Sequence, residues 1–416
     1  MRRVVVTGLG LVSPLGHDTD SLFDALLACR PGIRRLDAAW SGPARHPVYA
    51  GQPQVDLDAA FPRAKRIGHD RVTMLAVLAA RQARDAAALP LEGEAAERTG
   101  LYWGTGMGGA HTLEASYRDL LIGHAAKLRP STIVAAMTNG GTGQIGIDLG
   151  LRGPSMTYSS ACSSSAAAIG EAFRAIRAGG VDAAIAGGAE ALLTEGVVLA
   201  WESLGSIARL DPTRPETSCR PFAADRSGFL LGEGAAAVVL EEEGAARARG
   251  ATILGELVGY GNTTDASHIT QPDPDGQSRA MRLALAEARI AAGDVDYINA
   301  HGAGTPVGDQ AEADSIRRVF GDAAGRILVS STKALHGHLM GATGALEFII
   351  ALEAMRRRVA PPTAHLWQPD PKCGPACGLD FVPLEPRALP RADVVMSNSF
   401  GFGGNNAVLV ARRHGA

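Results

Sequence analysis

The chain repeats itself in the order of its elements, and that repeat narrows what it can fold into. Val4-Val5-Val6 reads as a short buried strand closed by Gly8-Leu9-Gly10. Gly100–Trp103 reads as a second strand, followed by the glycine-rich loop Gly104–Gly109. The stretch Pro154–Gly170 then reads as strand, sharp turn and helix entrance, with the helix running on to Arg177. Strands Ala183–Gly188 and Gly234–Leu240 follow. Near Gly250 the order begins again. Leu254–Gly261 matches the opening strand, and Asp296–Ala300 with its His301-Gly302 loop matches 100–109. Ile327–Thr332 with a glycine-rich turn and the helix Ala345–Arg356 matches the stretch at 154–177; Val394–Ser397 matches Ala183–Gly188. The echo lies in element order more than in residue identity. It predicts an α/β protein of two similar halves, residues 1–250 and 251–416, with two sheets face to face and Ala/Leu-rich helices between them.

The composition supports a folded chain. Its 416 residues are 46% hydrophobic and 20% charged, enough for a sizeable core. A formal net charge of −3 gives no overall pull toward nucleic acid or anionic membrane, so a charge-steered partner would need a local patch. Aromatic residues at 5% also speak against a base-stacking surface. Five scattered cysteines, Cys29, Cys162, Cys219, Cys373 and Cys377, suit a reducing compartment better than a disulfide framework. Cys373 and Cys377 have no second ligand pair nearby and read as loop thiols rather than a zinc site. Residues 1–7 read as a first strand rather than a signal peptide, and no apolar run approaches membrane-spanning length. The expectation is a cytoplasmic protein.

Cys162 stands among small and hydroxyl residues, Ser159-Ser160-Ala161-Cys162-Ser163-Ser164-Ser165, at the entrance of the predicted helix. Free N–H groups and the helix dipole favour an anion there, so a thiol in that position is expected to ionise more easily and attack carbonyls. Three further stretches follow strands, where α/β proteins carry their functional loops. They are His301–Asp309, Ser331–Gly344 with Lys333, His336 and His338, and Asn398–Asn406. A cysteine at a helix mouth with two strand-end histidines would make a nucleophile served by neutral imidazole donors. The loop Gly104–Gly109 lacks the spacing of a dinucleotide cradle, with Met107 at its centre. The basic run Arg63, Lys65, Arg66 and Arg71 reads on its own as a solvated face.

Taken together, the four stretches resemble the elongating Cys-His-His branch of the β-ketoacyl-acyl-carrier-protein synthases. Ala161–Ser165, His301–Pro306, Lys333 through Gly337-His338, and Asn398–Gly404 carry the resemblance, which covers nearly the whole chain. It implies the thiolase fold, a duplicated five-layer α-β-α-β-α sandwich, and a homodimer or a heterodimer with a related ketosynthase-like subunit. It implies decarboxylative condensation of an acyl group held on Cys162 with malonyl-acyl carrier protein, without metal or organic cofactor. His301 and His338 are then the pair that holds the malonyl thioester carbonyl, and Lys333 the charge that sets their electrostatics. Backbone N–H groups of Cys162 and Phe400 are the implied oxyanion hole, and Phe400 the gating aromatic. Phe400, Phe402 and Met107 are implied to border the acyl pocket, Asp309 and Glu347 to stand behind the site, and Thr305 to touch phosphopantetheine. Arg63, Lys65, Arg66 and Arg209 are the implied docking charges for an acidic carrier. Ala303, His336, Asn405, Ala223 and Ser227 depart from residues common in the family, around the entrance rather than at the Cys-His-His set. They point to a specialised synthase, of polyketide or polyene type, over the housekeeping fatty-acid enzyme. A non-catalytic chain-length-setting subunit of the same fold and a thiolase-type acyl-CoA enzyme are the alternatives; the first would lack the nucleophile and the second would bring another cysteine to the site.

Overall fold

The computed structural model describes residues 1–37, 47–373 and 378–415. Ten strands make one hydrogen-bonded sheet: β1 (Val4–Val12), β2 (Thr99–Gly104), β3 (Ser155–Tyr158), β4 (Ala183–Glu190), β5 (Gly234–Glu242), β6 (Gly255–Thr264), β7 (Tyr297–Asn299), β8 (Leu328–Ser330), β9 (Val394–Gly401) and β10 (Asn405–Arg412). In space they run β3-β2-β4-β5-β1, then β6-β10-β9-β7-β8. Each run has the same internal order and the same directions. The first strand pairs antiparallel with the fifth and the fifth with the fourth; the fourth, second and third are parallel. The expected repeat is therefore present as topology. Its two sheets are joined by a seam of three residue pairs, Val4–Val6 against Gly255–Leu257.

The layers follow from five helices: α1 (Arg71–Ala87), α2 (Ser164–Arg177), α3 (Pro274–Ala288), α4 (Pro306–Phe320) and α5 (Thr343–Arg357). α1 packs on β1, β4 and β5; α3 packs on β6 and β10, with α4 beside it. α2 and α5 pack on each other and on strands of both runs, which makes them the middle layer. Every residue from Thr343 to Met355 is buried, as a helix with sheets on both sides requires. The two middle helices cross on small residues. A Cβ on Gly344 would lie 2.8 Å from the Cβ of Ala166, and the Ser165 hydroxyl accepts from the Ala345 N–H at 2.9 Å.

One boundary differs from expectation. Gly8 and Gly10 do not close β1, which continues to Val12 with all nine residues buried. They face α1 instead: a Cβ on Gly8 would come within 2.2 Å of the Ala83 carbonyl oxygen, and one on Gly10 within 2.1 Å of that of Ala79. The alanine face of α1 (Ala76, Ala79, Ala80 and Ala83) completes this close approach. No helix among the described residues is long and apolar enough to cross a membrane.

Candidate active site

Cys162 sits in a tight turn between β3 and α2. Ala161 has φ +52°, a left-handed conformation that strains a residue with a side chain. The neighbouring hydroxyls hold it. Ser164 Oγ donates to the Ala161 carbonyl at 2.6 Å and accepts from the Ser160 N–H at 2.9 Å; Ser163 Oγ donates to the Ser160 carbonyl at 2.8 Å. The serine-rich sequence thus stitches the turn that presents the thiol. The β9–β10 turn closes over it, and Gly401 is required there. A Cβ on Gly401 would lie 2.6 Å from the Ser160 carbonyl oxygen and 3.2 Å from the Cys162 nitrogen.

The second run supplies the imidazoles. His338 Nε2 lies 3.1 Å from Cys162 Sγ. Its other nitrogen, Nδ1, receives the Met340 N–H at 3.2 Å and lies 3.0 Å from the Thr343 hydroxyl. A backbone N–H can only donate, so Nδ1 is an acceptor and the proton of the neutral ring sits on Nε2, facing the sulfur. His301 follows β7, its ring centroid 5.4 Å from that of His338 at 76°. The sulfur and one nitrogen from each ring lie within 4.8 Å of one another. Three such donors meet the minimum spacing for a divalent cation. The His338 tautomer argues otherwise, because the ring presents a proton rather than a lone pair to the centre.

Behind the rings is a buried charge network. Lys333, fully buried, pairs with Glu347 at 2.5 Å and donates to the His301 carbonyl. Glu312 on α4 accepts the N–H groups of His301 and Gly302 at 2.8 and 2.7 Å and the Asn398 amide at 3.1 Å. Asp309 accepts from the Phe222 and Gly304 N–H groups at 2.7 and 2.9 Å. Burial pushes Asp309 up to about 6 and Glu312 and Glu347 up to about 7. Burial and the Lys333 charge hold His301 and His338 well below their ordinary value, so both rings are neutral.

The thiol does not follow the sequence expectation. Burial pushes Cys162 up to about 12, and the helix mouth does not by itself produce a ready thiolate. Lys333 and the backbone N–H groups of Phe402 and of Cys162 itself work against that burial. The hairpin N–H directed at the sulfur belongs to Phe402, in the turn, because Phe400 is still in β9, paired opposite Asn406.

A cavity of about 320 Å³ leads to these groups. Buried Cys162, His338 and Phe400 line its inner part, while Ile269 and Val307, 68% and 59% exposed, mark its mouth. Phe402, Phe229 and Thr305 lie along the wall. Thr305 caps α4, its hydroxyl accepting the Gly308 N–H at 3.2 Å. Met107 does not line the cavity. It is half-exposed, in a loop whose Gly108 and Gly109 pack on Thr138 and Ala135–Ala136, beside the exposed Ile133, Val134 and Met137. Arg63, Lys65 and Arg66 form a short surface helix away from the cavity lining, with Lys65 3.4 Å from Asp148 and Arg66 paired to Asp58. Arg209 is nearer, since its N–H donates to Ser227 Oγ on the cavity wall at 3.0 Å.

Cys162 is the one cysteine lining the cavity among the described residues; Cys219 is fully buried with its sulfur 4.0 Å from the Ala303 carbonyl. Cys377 lies outside the described residues. Sequence reading passed over Glu312, whose signal was available: Asp309 and Glu312 are three residues apart, two acids on the apolar face of one helix. It also passed over Arg226, which is buried and holds the carbonyls of Thr305 and Pro306 at 3.2 and 2.8 Å and Asp370 at 2.6 Å.

A duplicated α-β-α-β-α sandwich, with a thiol from one repeat and imidazoles from the other, is the thiolase fold with a Cys-His-His group at its centre. Comparison with known proteins gives the narrower class. The N-terminal domain of the β-ketoacyl synthases matches residues 1–246 and the C-terminal domain residues 254–367. The chain is 39% identical over 414 residues to a 3-oxoacyl-[acyl-carrier-protein] synthase 2 of Staphylococcus aureus strain N315, covering 99% of this chain and 98% of that one. It is 41% identical over 419 residues to the synthase of the same name from Coxiella burnetii, with 99% of each covered. A β-ketoacyl synthase from Burkholderia phymatum superposes with TM-score 0.90 at 37% identity, over 99% of this chain and all of that one. The ishigamide ketosynthase/chain length factor superposes with TM-score 0.89 at 32% identity over the whole of both. The chain belongs to the β-ketoacyl synthase family.

Proposed function

We propose that this acyltransferase catalyses the decarboxylative condensation of an acyl group with malonyl-acyl carrier protein, and that Cys162, His301, His338 and Lys333 carry the reaction. Cys162 takes the acyl group from its carrier thioester and releases the carrier thiol. Malonyl-carrier then binds, and its carboxylate leaves as carbon dioxide. The electron pair left behind forms an enolate, whose oxygen the N–H groups of His338 and His301 stabilise as its charge grows. The enolate carbon attacks the Cys162 thioester. Its oxyanion is held by the Phe402 and Cys162 N–H groups, and collapse returns the sulfur as thiolate and leaves β-ketoacyl-carrier. Burial and Lys333 keep both imidazoles neutral, each with one N–H and one lone pair. The carrying observation is His338 Nε2 at 3.1 Å from the sulfur with Nδ1 already accepting from a backbone N–H.

The narrow cavity suits the pantetheine arm of a carrier, with Thr305 on its wall. Arg209 beside the mouth, with Arg63, Lys65 and Arg66, is the proposed carrier-docking set. Phe400 and Phe402 border the acyl end, and Met107 joins it only where a second subunit covers its surface. That subunit is a copy of this chain or a related ketosynthase-like partner. The halves divide at about residue 250, between the two matched family domains. The reading sets the enzyme in the cytoplasm, and the entrance substitutions, Ala303 among them, favour a specialised acyl chain.

The test is intact-mass analysis of the chain with acyl-carriers and malonyl-carrier. An acyl adduct on Cys162, followed by a β-ketoacyl product, is expected, and Cys162→Ala should form neither. Full turnover by Cys162→Ala alongside its partner subunit would make the chain a scaffold. Equal activity with every saturated chain length on an ordinary fatty-acid carrier would remove the specialised reading.

A further inference from the structure

A third imidazole lies behind the two that face the cavity. His336 is fully buried and does not line the cavity. It ends the short helix Lys333–His336, three residues after the buried lysine and two before His338. Its Nδ1 lies 2.6 Å from the Gly337 carbonyl. A carbonyl only accepts, so Nδ1 carries the ring proton. Nε2 of the neutral ring is then an acceptor, and the Thr332 hydroxyl donates to it at 2.9 Å. The ring thus ties the residue before the helix to the residue after it.

The main chain beside the ring is fixed as well. Gly337 turns at φ +76°, a conformation that favours glycine. A Cβ at Gly51 would come 2.2 Å from the His336 carbonyl oxygen, and one at Gly232 would come 2.8 Å from it. The His338 N–H donates to the Leu230 carbonyl at 2.7 Å, and the Gly232 N–H donates to the His338 carbonyl at 2.8 Å. Backbone contacts hold one side of this turn and the Gly337 N–H donates to the Lys333 carbonyl at 2.9 Å, while the His336 ring adds a side-chain bridge from Thr332 to Gly337.

We propose that His336 is a positioning residue of the condensation site: its neutral ring, bridging Thr332 and the Gly337 carbonyl, fixes the turn that sets His338 against Cys162 and Lys333 against His301. This rests on reading Cys162 as the nucleophile. The full-length chain and the variants His336→Ala, His336→Asn and His336→Phe test it, with folding followed by thermal melting. Two readouts are used: kcat and KM for malonyl-carrier condensation, and the pH profile of Cys162 alkylation by iodoacetamide, which needs no carrier. His336→Ala should lose roughly 10- to 100-fold in kcat, with KM changed by less than about threefold. Its alkylation profile should move to higher pH, since the His338 donor no longer meets the sulfur. His336→Asn, whose amide can still donate to the Gly337 carbonyl, should keep at least about a third of wild-type kcat. His336→Phe, which keeps bulk without polar atoms, should behave as the alanine variant. A folded alanine or phenylalanine variant with wild-type kcat and alkylation profile overturns the proposal. If the alanine variant does not fold, equal losses in the asparagine and phenylalanine variants overturn it. A wild-type chain that fails to condense, yet alkylates in a His336-dependent way, would sink the functional reading and leave this one standing.

Discussion

Cys162 works against its own burial. Its neighbours supply donors rather than a base: Nε2–H of His338, the Phe402 N–H, and the Lys333 charge behind them. Lys333→Met removes that charge, leaving the imidazoles easier to protonate and the thiol harder to ionise. The alkylation profile of Cys162 should shift to higher pH, and malonyl decarboxylation should fall at least roughly tenfold. Release of carbon dioxide and iodoacetamide labelling measure the two effects. The variant should still fold, because Glu347, already held up at about 7, can take a proton when its partner is gone. His336 gives a second pH prediction. Its folded value, about 3, lies below the ordinary 6.5, so the neutral form is favoured in the fold. As pH falls through 6.5 toward 3, only the unfolded chain takes up this proton, and stability drops by about 1.4 kcal/mol per pH unit from this group. The melting temperature of His336→Asn should therefore fall less than that of wild type between pH 7 and pH 5. Cys162, His301 and His338 stood out in the sequence because sulfur and imidazole stand in short glycine-rich loops after strands, and the fold brings the three together. The register of the hairpin was not legible, because Phe-Gly-Phe gives none; pairing of Phe400 with Asn406 leaves Phe402 in the turn.

Among the elements, the order of strands and helices was legible in full outline, while their ends and close approaches were not. Gly8 and Gly10 look like turn residues in a one-dimensional reading. In the fold they are the places where β1 meets the backbone of α1. Gly10→Ala drives a methyl group into the Ala79 carbonyl and should destabilise the chain by roughly 2–3 kcal/mol, read as a lower melting temperature. Gly143 is the contrast. It lies inside a helix, Gly140–Leu149, with open space where a methyl group would stand, and Gly143→Ala should raise stability by about 0.5–1 kcal/mol. The buried acids of α4 belong to this scale as well. Asp309 and Glu312 hold the main chain of the His301 loop rather than any substrate, which is why spacing along the helix marks them and loop motifs do not.

On the scale of the whole molecule, β3 stands at an edge of the sheet among the described residues. β3 has a single neighbour, β2, and Met156 on it is 53% exposed. Ile133, Val134, Met137 and Ile147 add exposed apolar surface on the helices that follow β2. Such an edge and patch call for a second subunit. Met156→Glu combined with Ile133→Glu should shift the chain to monomer in size-exclusion chromatography and reduce condensation, since the proposed acyl compartment loses its outer wall. The seam between the sheets has a different consequence. The Cys162 turn and the Lys333–His338 turn both follow the third strand of their own repeat, and each leads into a middle helix. Two identical units facing one another would have to carry the same group at both positions. Fusing them into one polypeptide removes that obligation, so one copy can keep sulfur where its twin keeps nitrogen, and the asymmetry the reaction needs is written into a symmetrical frame.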